Sequence, residues 1–391
     1  MSHNSKIPHM HVLEFFAGIG LMRLGLEKAG WRVIWANDIE PEKERLYHGN
    51  FDRRSAEFVI GDVHEIDGAS LPTAALATAS FPCNDLSLAG ARRGLSGSQS
   101  SSFWGFISAI KAMRARSPSL ILLENVTGFL TSNDGNDFRD ACLALNRLGY
   151  AVDAFILDAA HFVPQSRQRL FVVGSKDFRQ SKILESPSLF EEVGRPAALA
   201  DFILWHPEIR WAIRKLPKLP SVRRNFADIV EEVPANSALW WNKGRAEYLI
   251  NQMSPKHRAI AETLMVGTKT TYGTVFRRVR NGRSMAELRT DGLAGCLRTP
   301  RGGSGRQILF VGGRGKYAVR LLTPRECARL MGADDFDLKA GISPNQALFG
   351  FGDAVCVPVI EWIATNYLNP LLHEASEPAA AVRKPVRYGK A

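Results

Sequence analysis

The stretch His11-Val12-Leu13-Glu14-Phe15-Phe16-Ala17-Gly18-Ile19-Gly20-Leu21-Met22-Arg23-Leu24, followed at Trp31 by Trp-Arg-Val-Ile-Trp-Ala-Asn37-Asp38, decides how this chain folds. A short apolar run meets a glycine-rich turn, then an amphipathic stretch, then a second apolar run that ends in an acid. That is the pattern of strand, tight turn, helix and parallel strand. Glycines at 18 and 20 let the backbone turn sharply and approach a ligand at the positive end of the following helix. An acid about 20 residues further on suits hydrogen bonds from ribose hydroxyls. The turn lacks the full G-x-G-x-x-G spacing of dinucleotide enzymes.

The same rhythm continues outward. PEKERLYHGNF reads as a helix, FVIGD as a strand closing on Asp62, ALATASF as a strand, SSFWGFISAIKAMRA as a helix and SLILLENV as a strand. FRDACLALNRLGY, AVDAFILDA and RLFVVGS extend the alternation, which predicts an α/β fold with a doubly wound, mainly parallel sheet. Asp62, at a third strand end, is positioned to reach an adenine amino group. Three such strand ends point to a nucleoside cofactor.

Beyond about residue 190 the alternation stops, prolines and tryptophans cluster (Pro207, Pro217, Pro220, Trp205, Trp211, Trp240, Trp241), and glycine and arginine dominate from about 273 to 316. A smaller second domain over 191–339 is expected, with 1–190 plus 340–372 forming the first and 373–391 a disordered tail. The net charge is +11, and the segment from Lys269 to Arg329 holds 14 Lys/Arg against 3 Asp/Glu, an excess equal to that of the whole chain. So concentrated a charge favours a nucleic-acid face. The five scattered cysteines form no metal-ligand spacing and no disulfide framework, so no metal is expected and a reducing cytoplasm fits. Neither a signal peptide nor a membrane span is apparent.

Further motifs carry chemistry. They are Ser80-Phe81-Pro82-Cys83-Asn84-Asp85-Leu86-Ser87, Glu124-Asn125-Val126, Gln165-Ser166-Arg167-Gln168-Arg169, the segment Arg320 to Gly332 (RLLTPRECARLMG), and Gly350-Phe351-Gly352-Asp353-Ala354-Val355. Together with FFAGIG, and in this order from residue 13 to about 368, they resemble the conserved blocks of bacterial-type DNA cytosine-5 methyltransferases, which use S-adenosylmethionine.

The resemblance implies a mechanism. Carbon 5 of cytosine is a weak nucleophile until a thiolate adds at carbon 6, and Cys83 would supply that thiolate. Glu124 fits a general acid at the ring nitrogen beside the amino group. Arg169 would hold the base carbonyl, and Arg167 would orient the loop and a phosphate. The target base must leave the stack, and the serine-rich loop with Gly90, Gly94 and Gly97 suits a segment closing over it. Position by position, the resemblance places Phe16, Ala17, Gly18, Gly20, Asp38, Ile39, Asp62, Pro82, Phe103, Asp353 and Val355 around the cofactor. Ile39 stands where an aromatic is frequent, and Asp353 where Asn is commoner.

The recognition region of the family lies between the Gln-x-Arg-x-Arg and penultimate blocks. Arg277, Arg278, Arg280, Arg298, Thr299, Arg301 and Arg306 are the candidate contacts to double-stranded DNA, by phosphate binding or guanine readout. At most half of the arginines in these stretches are expected to make contacts, the others being solvated surface. A monomer is expected, and a cognate restriction endonuclease acting on the same site is an open partner. Three rivals stand beside this reading. A tRNA methyltransferase often carries Cys-Phe-Thr, absent here; a silent DNA-binding regulator would have no need of Cys83, Glu124 and Arg169; and an enzyme of free nucleotides would have no use for the basic region.

Overall fold

The computed structural model describes residues 10–82, 102–176, 194–221, 224–280, 282–299, 306–338 and 343–376. The first half builds β1 (His11–Phe15), α1 (Leu21–Lys28), β2 (Arg32–Asp38), α2 (Pro41–Asn50), β3 (Glu57–Ile60), β4 (Leu76–Ala79), α3 (Ser102–Ala112), β5 (Leu120–Val126), α4 (Asn136–Arg147), β6 (Ala151–Asp158) and β7 (Gln168–Ser175). The sheet order is β3-β2-β1-β4-β5-β7-β6. Pairings from β3 to β5 are parallel, whereas β7 runs antiparallel to both neighbours.

Alternate residues of each central strand feed two cores. Val12, Leu120 and Leu122 face one, while Leu13, Phe15, Ile121 and Leu123 face the other. Burial on both sides is why SLILL is apolar without alternation. The order reverses between β1 and β4, so a crevice opens at their carboxyl ends, where ligands of such sheets bind.

The second half contributes α5 (Ala197–Trp205), α6 (Lys243–Asn251), α7 (Pro255–Val266), β8 (Thr271–Arg280), β9 (Arg283–Arg289), β10 (Ile308–Gly313), β11 (Lys316–Leu321), α8 (Pro324–Leu330), α9 (Pro344–Asp353), α10 (Val357–Ile363) and α11 (Asn369–Ser376). A four-stranded antiparallel sheet, β11-β10-β8-β9, has its own small core, in which Leu249, Ile250 and Ala261 of α6 and α7 cover Val275, Leu288, Ile308 and Phe310.

The packing draws the borders differently from the expected 191–339. Leu199, Phe202, Ile203, Ile209 and Trp211 lie in a core of the large sheet, and Trp211 bridges to Val152 of β6. At the other end α8 packs into the opposite core through Cys327, Ala328 and Leu330. The tryptophan- and proline-rich segment thus begins as an irregular cover on the large sheet, which the loss of βαβ rhythm disguised. Residues 373–376 close α11, and the expected tail from 377 onward lies outside the described residues.

The chain returns to its beginning at the end. Gly25 of α1 sits so close to α10 that a Cβ there would meet the Ile360 side chain at 2.6 Å and the Val357 carbonyl at 2.8 Å. Trp31 Nε1 donates to Asn369 Oδ1 at 2.7 Å. The helical run Pro344–Glu374 is long and apolar enough to cross a membrane, yet 67% of its apolar window is buried in the protein.

Candidate active site

The turn after β1 is left-handed three times, at Phe16 (φ 56°), Gly18 (φ 57°) and Gly20 (φ 88°). A bulky residue in that region costs on the order of 1–3 kcal/mol, so the surroundings must hold Phe16 there. They do: Ala17 N donates to the Asn37 carbonyl and Gly18 N to Asp38 Oδ2, both at 2.8 Å. Gly20 is required by packing as well, since a Cβ would lie 2.3 Å from the Phe51 ring.

Asp38 is buried at the end of β2, and its Oδ1 accepts from Glu40 N at 3.0 Å. Its carboxylate therefore shapes the turn. Beside it Ile39 is 61% exposed, an apolar face at the mouth of the crevice. Asp62, after β3, caps a short 3-10 turn by accepting from His64 N at 2.9 Å. Phe103 is wholly buried against Phe81, their centroids 5.3 Å apart, and Pro82, the next residue after Phe81, is exposed. An open glycine turn, a buried strand-end acid and an exposed apolar face are what a nucleoside cofactor needs, and these residues fit one.

Cys83 and the glycines that follow it lie outside the described residues, as does Arg301. The approach to Cys83 is described. Asn125 Nδ2 donates to the Phe81 carbonyl at 3.3 Å, and Asn125 Oδ1 accepts from Val126 N at 2.8 Å. A buried amide on β5 thereby fixes the chain two residues before the cysteine.

Glu124 is 5% exposed, and its Oε1 lies 2.9 Å from Arg169 Nε. Both side chains rise from neighbouring strands on one face, because Arg169 of β7 is opposite Val126 of β5 and Glu124 is two residues from Val126. A carboxyl and a guanidinium so held can present a proton and two donors to one planar ring.

Arg167 is different from its expected role. It is 2% exposed and donates to the Leu297 carbonyl (2.7 Å), the Ala354 carbonyl (2.6 Å), the Gly352 carbonyl (3.2 Å) and Cys296 Sγ (3.3 Å). A guanidinium buried among carbonyls cannot also reach a DNA phosphate. It is a tether that joins three distant segments. Gln165, fully buried, does the same work: Nε2 donates to the Leu330 carbonyl at 2.8 Å and Oε1 accepts from Leu297 N at 2.9 Å. Burial raises the Cys296 thiol's pKa, but the charges of Arg167, Arg169 and Arg298 outweigh this and hold it below the usual range.

Along the second sheet, Arg278 and Arg280 are exposed near the β8–β9 turn, and Arg277 is half-buried. Glu287 of β9 takes Arg280 at 2.7 Å and lies 4.0 Å from Arg278. Arg298 is exposed, Thr299 hydrogen-bonds Asp353, and Arg306 donates to Asn345 at 2.9 Å. Val355 is buried. The charge excess overstates the free cationic surface. Arg320 and Glu326 form an ion pair at 2.6 Å with both side chains fully buried, Arg329 donates to the Ile229 carbonyl, and Arg325 to that of Asp334. No cluster of metal-ligating side chains occurs among the described residues.

Residues 10–369 match the family model of C-5 cytosine-specific DNA methylases. The chain is 33% identical to the type II methyltransferase M.HaeII of Haemophilus aegyptius over 360 residues, which covers 92% of this chain and 93% of that protein. It is 25% identical to M.Bsp6I of Bacillus sp. over 93% of this chain and all of the relative. Among solved structures, the S. pombe Dnmt2 methyltransferase superposes with a TM-score of 0.62 over 92% of this chain and 99% of its own, at 19% identity, a likeness of fold.

Proposed function

The chain belongs to the family of C-5 cytosine-specific DNA methylases, and on that premise we propose that it methylates cytosine in one short motif of duplex DNA, through a covalent bond between Cys83 and carbon 6 of a flipped-out base. The observation that carries the residue assignment is the Glu124–Arg169 pair, at 2.9 Å, with Glu124 on the strand whose Asn125 fixes the approach to Cys83.

The Cys83 thiolate adds to carbon 6 while Glu124 delivers a proton to the ring nitrogen beside the amino group. Arg169 holds the base carbonyl and, through its contact with Glu124, keeps the acid aimed at that nitrogen. S-adenosylmethionine, the family's cofactor, supplies an electrophilic methyl group when bound. The glycine turn from Phe16 to Gly20 and the acids Asp38 and Asp62 bind its nucleoside, with Ile39, Pro82, Phe103, Asp353 and Val355 around them. Once carbon 5 carries the methyl group, loss of its proton to solvent re-forms the 5,6 double bond and expels the Cys83 thiolate from carbon 6, and the ring nitrogen returns its proton to Glu124.

DNA lies between the crevice and the second sheet, with Arg277, Arg278, Arg280, Arg298, Thr299, Arg301 and Arg306 on its backbone and base edges. In this reading the protein is a cytoplasmic monomer and, since relatives are type II methyltransferases by name, works beside an endonuclease of the same specificity.

The test is methyl transfer from labelled S-adenosylmethionine into duplex DNA, with bulk tRNA in parallel and base-resolution mapping. Label at cytosine carbon 5 in one motif, abolished in Cys83→Ala, is expected. Label in tRNA alone would overturn the substrate, and turnover of Cys83→Ala near the wild-type rate would overturn the covalent step.

A further inference from the structure

Lys43 carries no motif, yet it lies where the two halves of the proposed site meet. It stands on α2, one turn beyond β2, with its side chain 17% exposed. Its Nζ is 3.6 Å from Glu40 Oε1 and 3.5 Å from Asp353 Oδ2. Glu40 is tied in turn to the strand-end acid, since its amide donates to Asp38 Oδ1. Asp353 faces the other way with its second oxygen, accepting from the Thr299 hydroxyl. A continuous line of polar contacts thus runs from the acid beside the glycine turn, through Lys43 and Asp353, to the strip that carries Arg298 and Thr299.

The chemistry of position 353 sharpens the point. An amide there could still bond Thr299 but would give Lys43 no opposite charge. With an aspartate, the lysine and the acid hold each other in place, and the ammonium is kept charged: burial lowers its pKa, but Asp38, Asp353 and Glu40 together raise it above the ordinary value. The cation itself is mostly buried, while the two carboxylates that flank it stay partly open to solvent.

We propose that Lys43 is a positioning residue that makes cofactor and DNA binding cooperative, by holding Asp353 between the nucleoside side of the crevice and Thr299. This rests on the reading of Asp38 and Asp353 as cofactor contacts and Thr299 as a DNA contact. A ligand that draws on the Asp38–Glu40 turn, or on Thr299, moves Asp353 through the Lys43 contacts and so presents it to the other ligand, and linkage requires the coupling to be equal in both directions.

The experiment measures four dissociation constants on the full chain: S-adenosylhomocysteine with and without a duplex carrying the mapped motif, and that duplex with and without S-adenosylhomocysteine. In the wild type each ligand is expected to tighten the other by the same factor, about 10-fold. In Lys43→Met the factor falls to about 2-fold or less, while S-adenosylhomocysteine alone binds nearly as before. Asp353→Asn, which keeps a Thr299 acceptor and loses the ion pair, shows the same fall in the coupling factor whatever its affinity for S-adenosylhomocysteine alone, and Lys43→Arg retains the coupling. The factor is a ratio, so the loss of one positive charge toward DNA cancels from it. Wild-type coupling in Lys43→Met and Asp353→Asn would overturn the proposal, as would a wild type that binds both ligands independently. A wild type that binds neither ligand would overturn the functional reading itself.

Discussion

Asn125 on β5 donates its side-chain amide to the main-chain carbonyl of Phe81, 3.3 Å away and two residues before Cys83. The family motif supplies a carboxylate at 124, but the neighbour at 125 holds the other half of the chemistry in place. Asn125 is buried, so removing its amide leaves a carbonyl and an amide without their partner. Asn125→Ala should cost about 1–3 kcal/mol in stability. Single-turnover methyl transfer should slow by about 10-fold or more, because the nucleophile is less well placed. Chemical denaturation and rapid-quench kinetics read the two effects, and an unchanged single-turnover rate would mean that the contact does not position Cys83.

Arg167 makes a contrasting prediction. Its donors hold Leu297, Gly352 and Ala354 together, and its guanidinium is out of solvent. Arg167→Met should lower stability by about 2–4 kcal/mol by orphaning those carbonyls. The slope of log affinity for DNA against log salt should stay within about half a unit of wild type. A folded variant whose slope drops by a full phosphate contact would restore Arg167 to the DNA surface.

Glu287 restrains the arginines of the β8–β9 ladder. It is paired to Arg280 at 2.7 Å and close to Arg278. Glu287→Gln removes a negative charge beside two arginines proposed to contact DNA, so affinity for any duplex should rise and the salt slope should steepen by about 1. Fluorescence anisotropy across a salt series measures both. Weaker binding would show that Glu287 aims the arginines rather than competing for them.

Glu14 gives a pH dependence. It lies on β1 beneath the glycine turn, 1% exposed, accepting from Arg23 N and the Tyr47 hydroxyl, each at 3.1 Å. Burial pushes its carboxyl up from an ordinary 4.5 to about 8, with the Arg23 charge and these hydrogen bonds opposing only in part. Between those values the folded protein keeps a proton that the unfolded chain has lost. Stability from this group is therefore full below pH 4.5 and disappears as pH rises through about 8. Glu14→Gln cannot titrate, so urea denaturation of both proteins should show wild type losing ground to the variant across that window. Parallel curves would show that the carboxyl is ionised in the fold.

Much of this was legible in the sequence because the relevant signals are local. A strand, a glycine turn and an acid about twenty residues on follow from apolar period and turn chemistry alone, and Glu124 and Arg169 stand at motif positions on strands that pair directly. What was hidden depends on which way a side chain points. Arg167 and Arg169 look alike in a Gln-x-Arg-x-Arg string, yet Arg167 precedes β7 and turns inward. Lys43 reads as one of several charges on a polar helix until Asp353, 310 positions later, is brought beside it. Arg320 counted toward a basic face and proves to be half of a buried pair with Glu326, which also closes the capping box of α8. The stretch from Leu199 to Trp211 broke the βαβ rhythm while still covering the large sheet, and no local pattern distinguishes that from a new domain.

The fit of α1 against α10 also has a meaning for how the protein is made. Gly25 and Ile360 are neighbours in space but lie about 335 positions apart along the chain. At about 5–20 residues per second, a ribosome needs roughly 20–70 s to travel from one to the other. Throughout that interval the face of α1 that meets α10 has nothing to cover it, whereas the small sheet of β8 to β11, with its nearby helices, emerges whole and can condense first. The second sheet can therefore close its own core before α10 arrives to complete the packing of the turn-bearing helix.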